Sequence, residues 1–399
     1  WLPYGLVLAV FFYWRIFVYS FTTYQPVLVS NLKSNPLKVI VDLGWRMFQD
    51  MVTVVLRVWA QAFEVVNSYP VMFLQAAIII GGGVLLWMLF TLWGKKVCLQ
   101  DEKDSAGWGI QAVVAGLLLM LLAGVPFWVT GINLWLTFPW DRTTLAFIPG
   151  ACLLIVGLVD LVLQPRYRNV FLAGLVGLSF GIHYQNVQTF VDEWQEARSI
   201  LWQLTWRAPM IKPGTALITD VMPVVYYGDN TLSPAINWTY APDVHQEEIP
   251  YRLFDLNIRQ SSPVFANPGR NMPIEHHYRN FLFDGNTNQM LSVVFKRNAC
   301  VRVYGAGDRV SPGTSDRIKD TLYLSDLSLI DPQPATAARP PSVVGAEPEH
   351  GWCYYFEKAD LARQQQDWKT VSTLAEDTLS LNLMAQDASE NLVFIEGLM

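Results

Sequence analysis

The residues with the clearest chemical spacing lie between positions 39 and 68. Asp42, Arg46, Asp50, Thr53, Arg57, Gln61, Glu64 and Ser68 follow one another at intervals of three or four. That interval places all eight on one face of a helix, where opposite charges can pair along the face. The remaining surface carries Leu43, Met47, Met51, Val54, Val55, Val58, Ala62 and Val65. Two placements suit such a helix. It can lie in a membrane interface with its apolar side in lipid, or cross the membrane with its polar stripe facing a cavity. The interfacial placement is preferred, because so many charges and amides are a heavy load for a spanning helix.

Other residues could do chemistry in smaller groups. Asp160 sits inside an apolar run, where a carboxylate is either functional or paired locally with Arg166 or Arg168. Local pairing is the expectation. Tyr226, Tyr227, Asp229 and Trp238 give an aromatic and acidic stretch whose composition suits a carbohydrate- or peptide-binding surface, with ordinary domain packing the preferred reading. Asn237-Trp238-Thr239 fits an N-glycosylation acceptor. Glu275-His276-His277 and His245-Gln246-Glu247-Glu248 bring His and carboxylate together. Adjacent residues on a strand point to opposite sides, so the expectation is solvated loop residues and no metal site. Cys300 and Cys353 can form a disulfide if their compartment is oxidising. Phosphate-loop, nucleophile-elbow and zinc-protease signatures are all missing. No cofactor is evident.

The elements that must position these residues divide sharply. Of 399 residues, 52 % are hydrophobic and only 16 % charged, and the apolar ones are concentrated before residue 185. Expected membrane spans are residues 6–21, which include Arg15, then 71–93, 108–130, 143–164 and 169–184, each near the roughly 20 residues a bilayer core requires. Basic loops at Lys95–Lys103 and Arg166–Arg168 alternate with an aromatic loop at 132–141 that lacks Lys and Arg. This alternation places residues 207 onward outside the cytoplasm. A Trp-rich connecting helix is expected over 186–206, an α+β domain over 207–330, a Pro-rich linker over 331–350 and helices over 351–399. The net charge of −6 and the lack of a basic stripe exclude nucleic acid as a partner. The chain begins inside one apolar run and stops inside a helical pattern, which reads as an internal piece of a longer polypeptide.

The pattern Ala359-x-Leu361-Ala362, Asp367-Trp368, Leu374-Ala375-x-x-Thr378-Leu379 resembles one tetratricopeptide (TPR) repeat, with Gln366 where that family usually has Gly. The arrangement as a whole resembles the C-terminal half of a GT-C type glycosyltransferase. Its carriers are the spans, the polar-striped helix, the Gly181-Ile182-His183-Tyr184 exit with the Trp-rich helix after it, and the TPR-like pair. The resemblance implies a bacterial plasma-membrane protein that transfers sugar from a lipid-linked donor at the outer face. It brings no catalytic residue to this chain, because that family's catalytic acid lies in a loop upstream of Trp1. The competing expectation is a non-catalytic scaffold of a membrane assembly that binds protein partners through its outer and TPR-like parts.

Overall fold

The computed structural model describes residues 2–18, 35–61, 72–97, 107–136, 140–225, 228–297, 299–308 and 314–399. It is mostly helical, with a small sheet-containing region, and divides into two compact units, Trp1–Gln188 and Thr189–Met399.

The first unit contains α1 (Leu2–Tyr13), α2 (Pro36–Val52), α3 (Met72–Val97), α4 (Trp108–Thr130), α5 (Ile148–Val162) and the start of α6 (Pro165–Arg207). Three helical stretches are long and apolar enough to cross a membrane: Trp108–Thr130, Asp141–Val162 and Tyr167–Arg207. The apolar stretches Leu2–Phe11 and Ala76–Leu92 are shorter. The α4 and α5 backbones approach closely through glycine. A Cβ on Gly116 would lie 2.6 Å from the Leu154 nitrogen and 2.8 Å from the Gly150 oxygen. Small residues of this kind allow helices to pack where no water is present to drive association.

Helix α2 continues as a π-helical turn, Thr53–Arg57. It buries Asp50 and Val54 against Met120, Trp128 and Phe147 and exposes Leu37, Ile40, Val41, Trp45, Phe48 and Leu56. The polar stripe is therefore not uniformly outward: Asp42 and Arg57 are exposed, while Asp50 faces protein. Glu64 and Ser68 lie outside the described residues, as do Cys98, Lys103 and the side chain of Arg15.

Residues 165–207 form one 43-residue helix rather than a span and a separate connecting helix. The sequence between them, Gly181 to Gln188, contains no proline, and one glycine costs a helix only about 1 kcal/mol.

In the second unit the main sheet has the order β3-β2-β6-β7, from β2 (Thr215–Thr219), β3 (Tyr251–Asp255), β6 (Met290–Val294) and β7 (Arg302–Tyr304). Strands β2, β3 and β6 are parallel, and β7 closes the edge antiparallel as a hairpin with β6. Helix α7 (Asp229–Tyr240) provides the crossover from β2 to β3. The parallel strands are buried along their whole length, as expected for a sheet covered on both faces. A separate hairpin joins β4 (Pro273–Tyr278) to β5 (Phe281–Asn286), and β1 (Met210–Ile211) pairs with β8 (Ile330–Asp331). One-turn helices α8 (Pro263–Ala266) and α9 (Asp316–Thr321) lie in the connections.

Segment 331–350 is not a free tether. Ala338 donates its N–H to the Pro209 carbonyl at 2.7 Å, Val344 is buried, and Glu347 accepts from the Trp206 indole at 2.8 Å. Prolines pre-order such a strap and lower the entropy lost on docking. It leads to α10 (Trp352–Gln364), α11 (Trp368–Ser380) and α12 (Asn391–Leu398). Asp367 caps α11 by accepting the Thr370 N–H. Phe356, Ala359, Ala362, Val371, Ala375, Val393 and Phe394 share a core with Cys300, which is disulfide-bonded to Cys353.

Candidate functional site at the carboxyl edge of the parallel sheet

In β2 and β3, Thr219 stands opposite Asp255, so the carboxyl ends of the two strands are level. Open parallel sheets bind ligands beyond this edge, where side chains from successive strand ends and the following helix converge. Here the first residue past β2 is Asp220, the last of β3 is Asp255, and α7 begins at Asp229. All three carboxylates are almost fully buried.

The cations in reach are unevenly shared. Arg259 grips Asp229 with both arms, Nε to Oδ2 at 2.8 Å and Nη2 to Oδ1 at 3.0 Å. Arg252 lies 3.8 Å from the same carboxylate, donates to Ser233 Oγ at 2.8 Å and also bonds Asn230. Asp255 accepts only local backbone support, from the Asn257 N–H at 2.8 Å and from the Ile258 N–H. Among the described residues neither Asp220 nor Asp255 has an ion pair, and Asp220 Oδ1 has no hydrogen-bond partner. Burial pushes the Asp255 carboxyl up, and the neighbouring Asp229 and Asp220 push the same way against the Asn257 bond.

His276 projects from β4 with its ring edge toward Phe254. Burial, with Arg252 and Arg259 nearby, lowers its pKa to about 4, so it is neutral at pH 7. Its Nε2 has no partner, and neither does Nε of Arg252, among the described residues. A buried polar atom left unpaired costs about 1–3 kcal/mol. Three such atoms, on Asp220, His276 and Arg252, lie at one sheet edge beside Asp255, which accepts from backbone alone. Together they offer two carboxylate acceptors, a neutral imidazole and a guanidinium edge.

The aromatic and acidic stretch is split. Tyr226 and Tyr227 lie outside the described residues. Asp229 is buried at the start of α7, while Trp238 is exposed nine positions on, about 13 Å along the axis. Asn237 does not present a glycan acceptor: its amide donates to Ser233 and Tyr251 oxygens and accepts the Tyr251 N–H. His276 belongs to the edge, whereas His245, Glu247, Glu248, Glu275 and His277 are exposed. No group of three or more His, Cys, Asp or Glu that could hold a metal occurs among the described residues.

Sequence reasoning missed Asp220, Arg252, Asp255 and Arg259 as partners. Their signal was present but scattered, as a charge at or just beyond the end of each short apolar strand and one within β3.

Two other polar constellations are built differently. In the first unit the Trp128 indole donates to Asp50 at 2.8 Å in a buried setting. Arg46, one turn earlier, has Nε and Nη2 buried without a partner among the described residues. Asp160 is held by Arg168. In the second unit, fully buried Arg207 donates from Nε to Asp360 Oδ2 at 2.8 Å and from Nη2 to the Val303 carbonyl at 3.2 Å. Asp360 also receives Arg363 at 2.7 Å, and Arg363 reaches Asp308 at 3.2 Å. Burial pushes Asp360 up, but the two guanidiniums outweigh it and hold the carboxyl below the usual range.

A cleft of about 600 Å³ opens at the opposite, amino end of β2 and β3. The hydroxyls of Tyr240 and Tyr251 on its wall are already bonded to backbone carbonyls of Leu204, Ala208 and Ile211. No family model, no curated protein and no solved structure matches the chain.

Proposed function

We propose that the chain belongs to a membrane-embedded transferase resembling the GT-C type, which uses a lipid-linked sugar donor at the outer face of a bacterial plasma membrane. In this reading the second unit lies outside the cytoplasm and the carboxyl edge of its parallel sheet holds a saccharide. The observation that carries it is that, among the described residues, Asp220 and Asp255 have no ion pair and Asp220 Oδ1 has no hydrogen-bond partner, beside neutral His276. Sugar hydroxyls supply donors to such acceptors without bringing charge. The Cys300–Cys353 disulfide supports placement in an oxidising compartment, as do the alternating basic loops. Five spans, with α1 and α3 added to the three long apolar stretches, complete this topology. The reading assigns no catalytic residue.

The test is saturable binding of farnesyl-phosphate-linked glucose, galactose or mannose to the full chain in lipid nanodiscs. Binding by at least one probe, lost in Asp255→Asn with the fold retained, is the expected result. Failure of all three probes to bind a folded chain overturns it.

A second reading, a scaffold that binds proteins, is favoured by one feature. Leu379, Leu381, Met384, Leu392 and Ile395 are exposed on and between α11 and α12, and a single repeat does not bury its own apolar face. Co-purification of a stoichiometric partner, lost on substituting these side chains with Ser, would select it.

A further inference from the structure

Glu193 on α6 is 1 % exposed, a costly position for a carboxylate unless it is well bonded. It accepts from two directions. One donor is the backbone N–H of Val225, and the other is Nη2 of Arg297 at 3.0 Å. Glu193 therefore clips together a helix, the loop leaving β2 and the turn between β6 and β7. On the helix and the loop that the clip joins, large apolar side chains are exposed: Val191 is 44 % exposed, Trp194 38 %, Val221 47 % and Val225 70 %. Arg297, which bonds Glu193, is itself half exposed. The loop that carries Val221 and Val225 leaves Asp220 and leads to Asp229, so its two ends are residues of the strand-edge site.

Helical register says what covers this patch. Arg166 and Arg168 stand at the start of α6. From Asn169, roughly 20 residues at 1.5 Å each cross a hydrocarbon core of about 30 Å and end near Gln188. Val191 and Trp194 then fall about 4 and 9 Å further on, within the headgroup layer. Indole rings and arginines over apolar side chains are the composition of that layer.

We infer that Val191, Trp194, Val221 and Val225, with the half-exposed Arg297, seat the second unit in lipid headgroups, so that the strand-edge site opens at the membrane surface. The occupant is the bilayer itself. The inference rests on the reading of α6 as a span. It also gives the loop a role: with its middle held against lipid, its ends stay at the height where a lipid-linked headgroup would be presented.

The test uses the full chain in nanodiscs with Cys98→Ser and Cys152→Ala, and an environment-sensitive fluorophore on one introduced cysteine at a time. Val176→Cys, partly exposed on the spanning part of α6, reports whether the helix is in lipid at all. Val225→Cys reports the patch, and Met384→Cys, highly exposed in the connection between α11 and α12, reports water. Doxyl-labelled phosphatidylcholine is expected to quench the probes at 176 and 225 but not the one at 384. Adding Glu193→Ala should abolish quenching at 225 while leaving that at 176. Quenching at 176 with none at 225 overturns this inference and leaves the spanning helix intact. No quenching at 176 removes the spanning helix, and the inference with it. A probe at 225 shielded from aqueous iodide yet untouched by doxyl lipid means a protein covers the patch, which also overturns it.

Discussion

The sheet edge around Asp229 and the knot around Arg207 contain the same chemical parts, yet they are finished to different degrees. Each buries carboxylates and guanidiniums in the second unit. In the knot, Asp360 receives both Arg207 and Arg363, and Arg207 also reaches the Val303 carbonyl. At the edge, Asp229 takes up the two arginines while Asp220 and Asp255 have no cation among the described residues. A buried carboxylate met at both oxygens, as Asp360 is, fixes a structure, although Arg207 Nη1 has no partner among the described residues. A carboxylate left short of partners keeps more of its desolvation cost.

The contrast can be broken most severely at the knot. Arg207→Met strands Asp360, and breaking a buried pair from one side costs about 3–5 kcal/mol. The expected result is a large fall in the urea midpoint of the second unit, measured in the full chain. Next, reducing the Cys300–Cys353 bond frees a link across 53 residues and should cost about 2–4 kcal/mol, read as a lower thermal midpoint in dithiothreitol. In the first unit, Trp128→Phe removes the donor to Asp50 and should cost about 1–3 kcal/mol, read as earlier loss of helical circular dichroism on heating in detergent.

A pH titration sharpens the same comparison at the edge. Folded His276 takes up a proton only near pH 4, whereas an unfolded histidine does so near 6.5. Between those values the unfolded chain binds the extra proton, so stability rises with pH through the window and is lost as pH falls from about 6.5 to 4. After discounting for partial solvent exposure the effect is on the order of 1 kcal/mol. His276→Gln should flatten the dependence of the thermal midpoint over that range. The smallest effect belongs to Asp255→Asn, which removes an unpaired buried charge. Stability should stay unchanged or rise by up to about 1 kcal/mol, since no partner is abandoned. A loss comparable to that of Arg207→Met would show that the edge is structural after all.

What was legible in the sequence follows from how each element is stabilised. Apolar runs long enough for a bilayer, such as Trp108–Thr130, announce themselves because length and composition suffice. The helices Trp352–Gln364 and Trp368–Ser380 show in their spacing, and the β6–β7 hairpin in its two apolar runs around Lys296-Arg297. Strand β3 was hidden because Arg252 interrupts its apolar run, and that arginine is buried only because Ser233 and Asn230 meet it from α7. The parallel pairing of β2 with β3 and β6 depends on segments more than thirty residues apart, which local periodicity does not encode. Arg207 looked like a polar boundary marking the end of a helix. Its partner lies 153 residues away. Helix α7 carries Asp229 and Trp238 to different surroundings, one buried and one exposed, which proximity in sequence does not show.

The Cys300–Cys353 bond closes a covalent ring that contains the whole docked strap from 331 to 350. A protease that cuts the strap therefore opens the ring without releasing either piece. Cleaved protein should migrate as an intact chain until a reductant is added, and only then as two fragments. The strap can be severed while the helices it leads to stay tethered to the sheet.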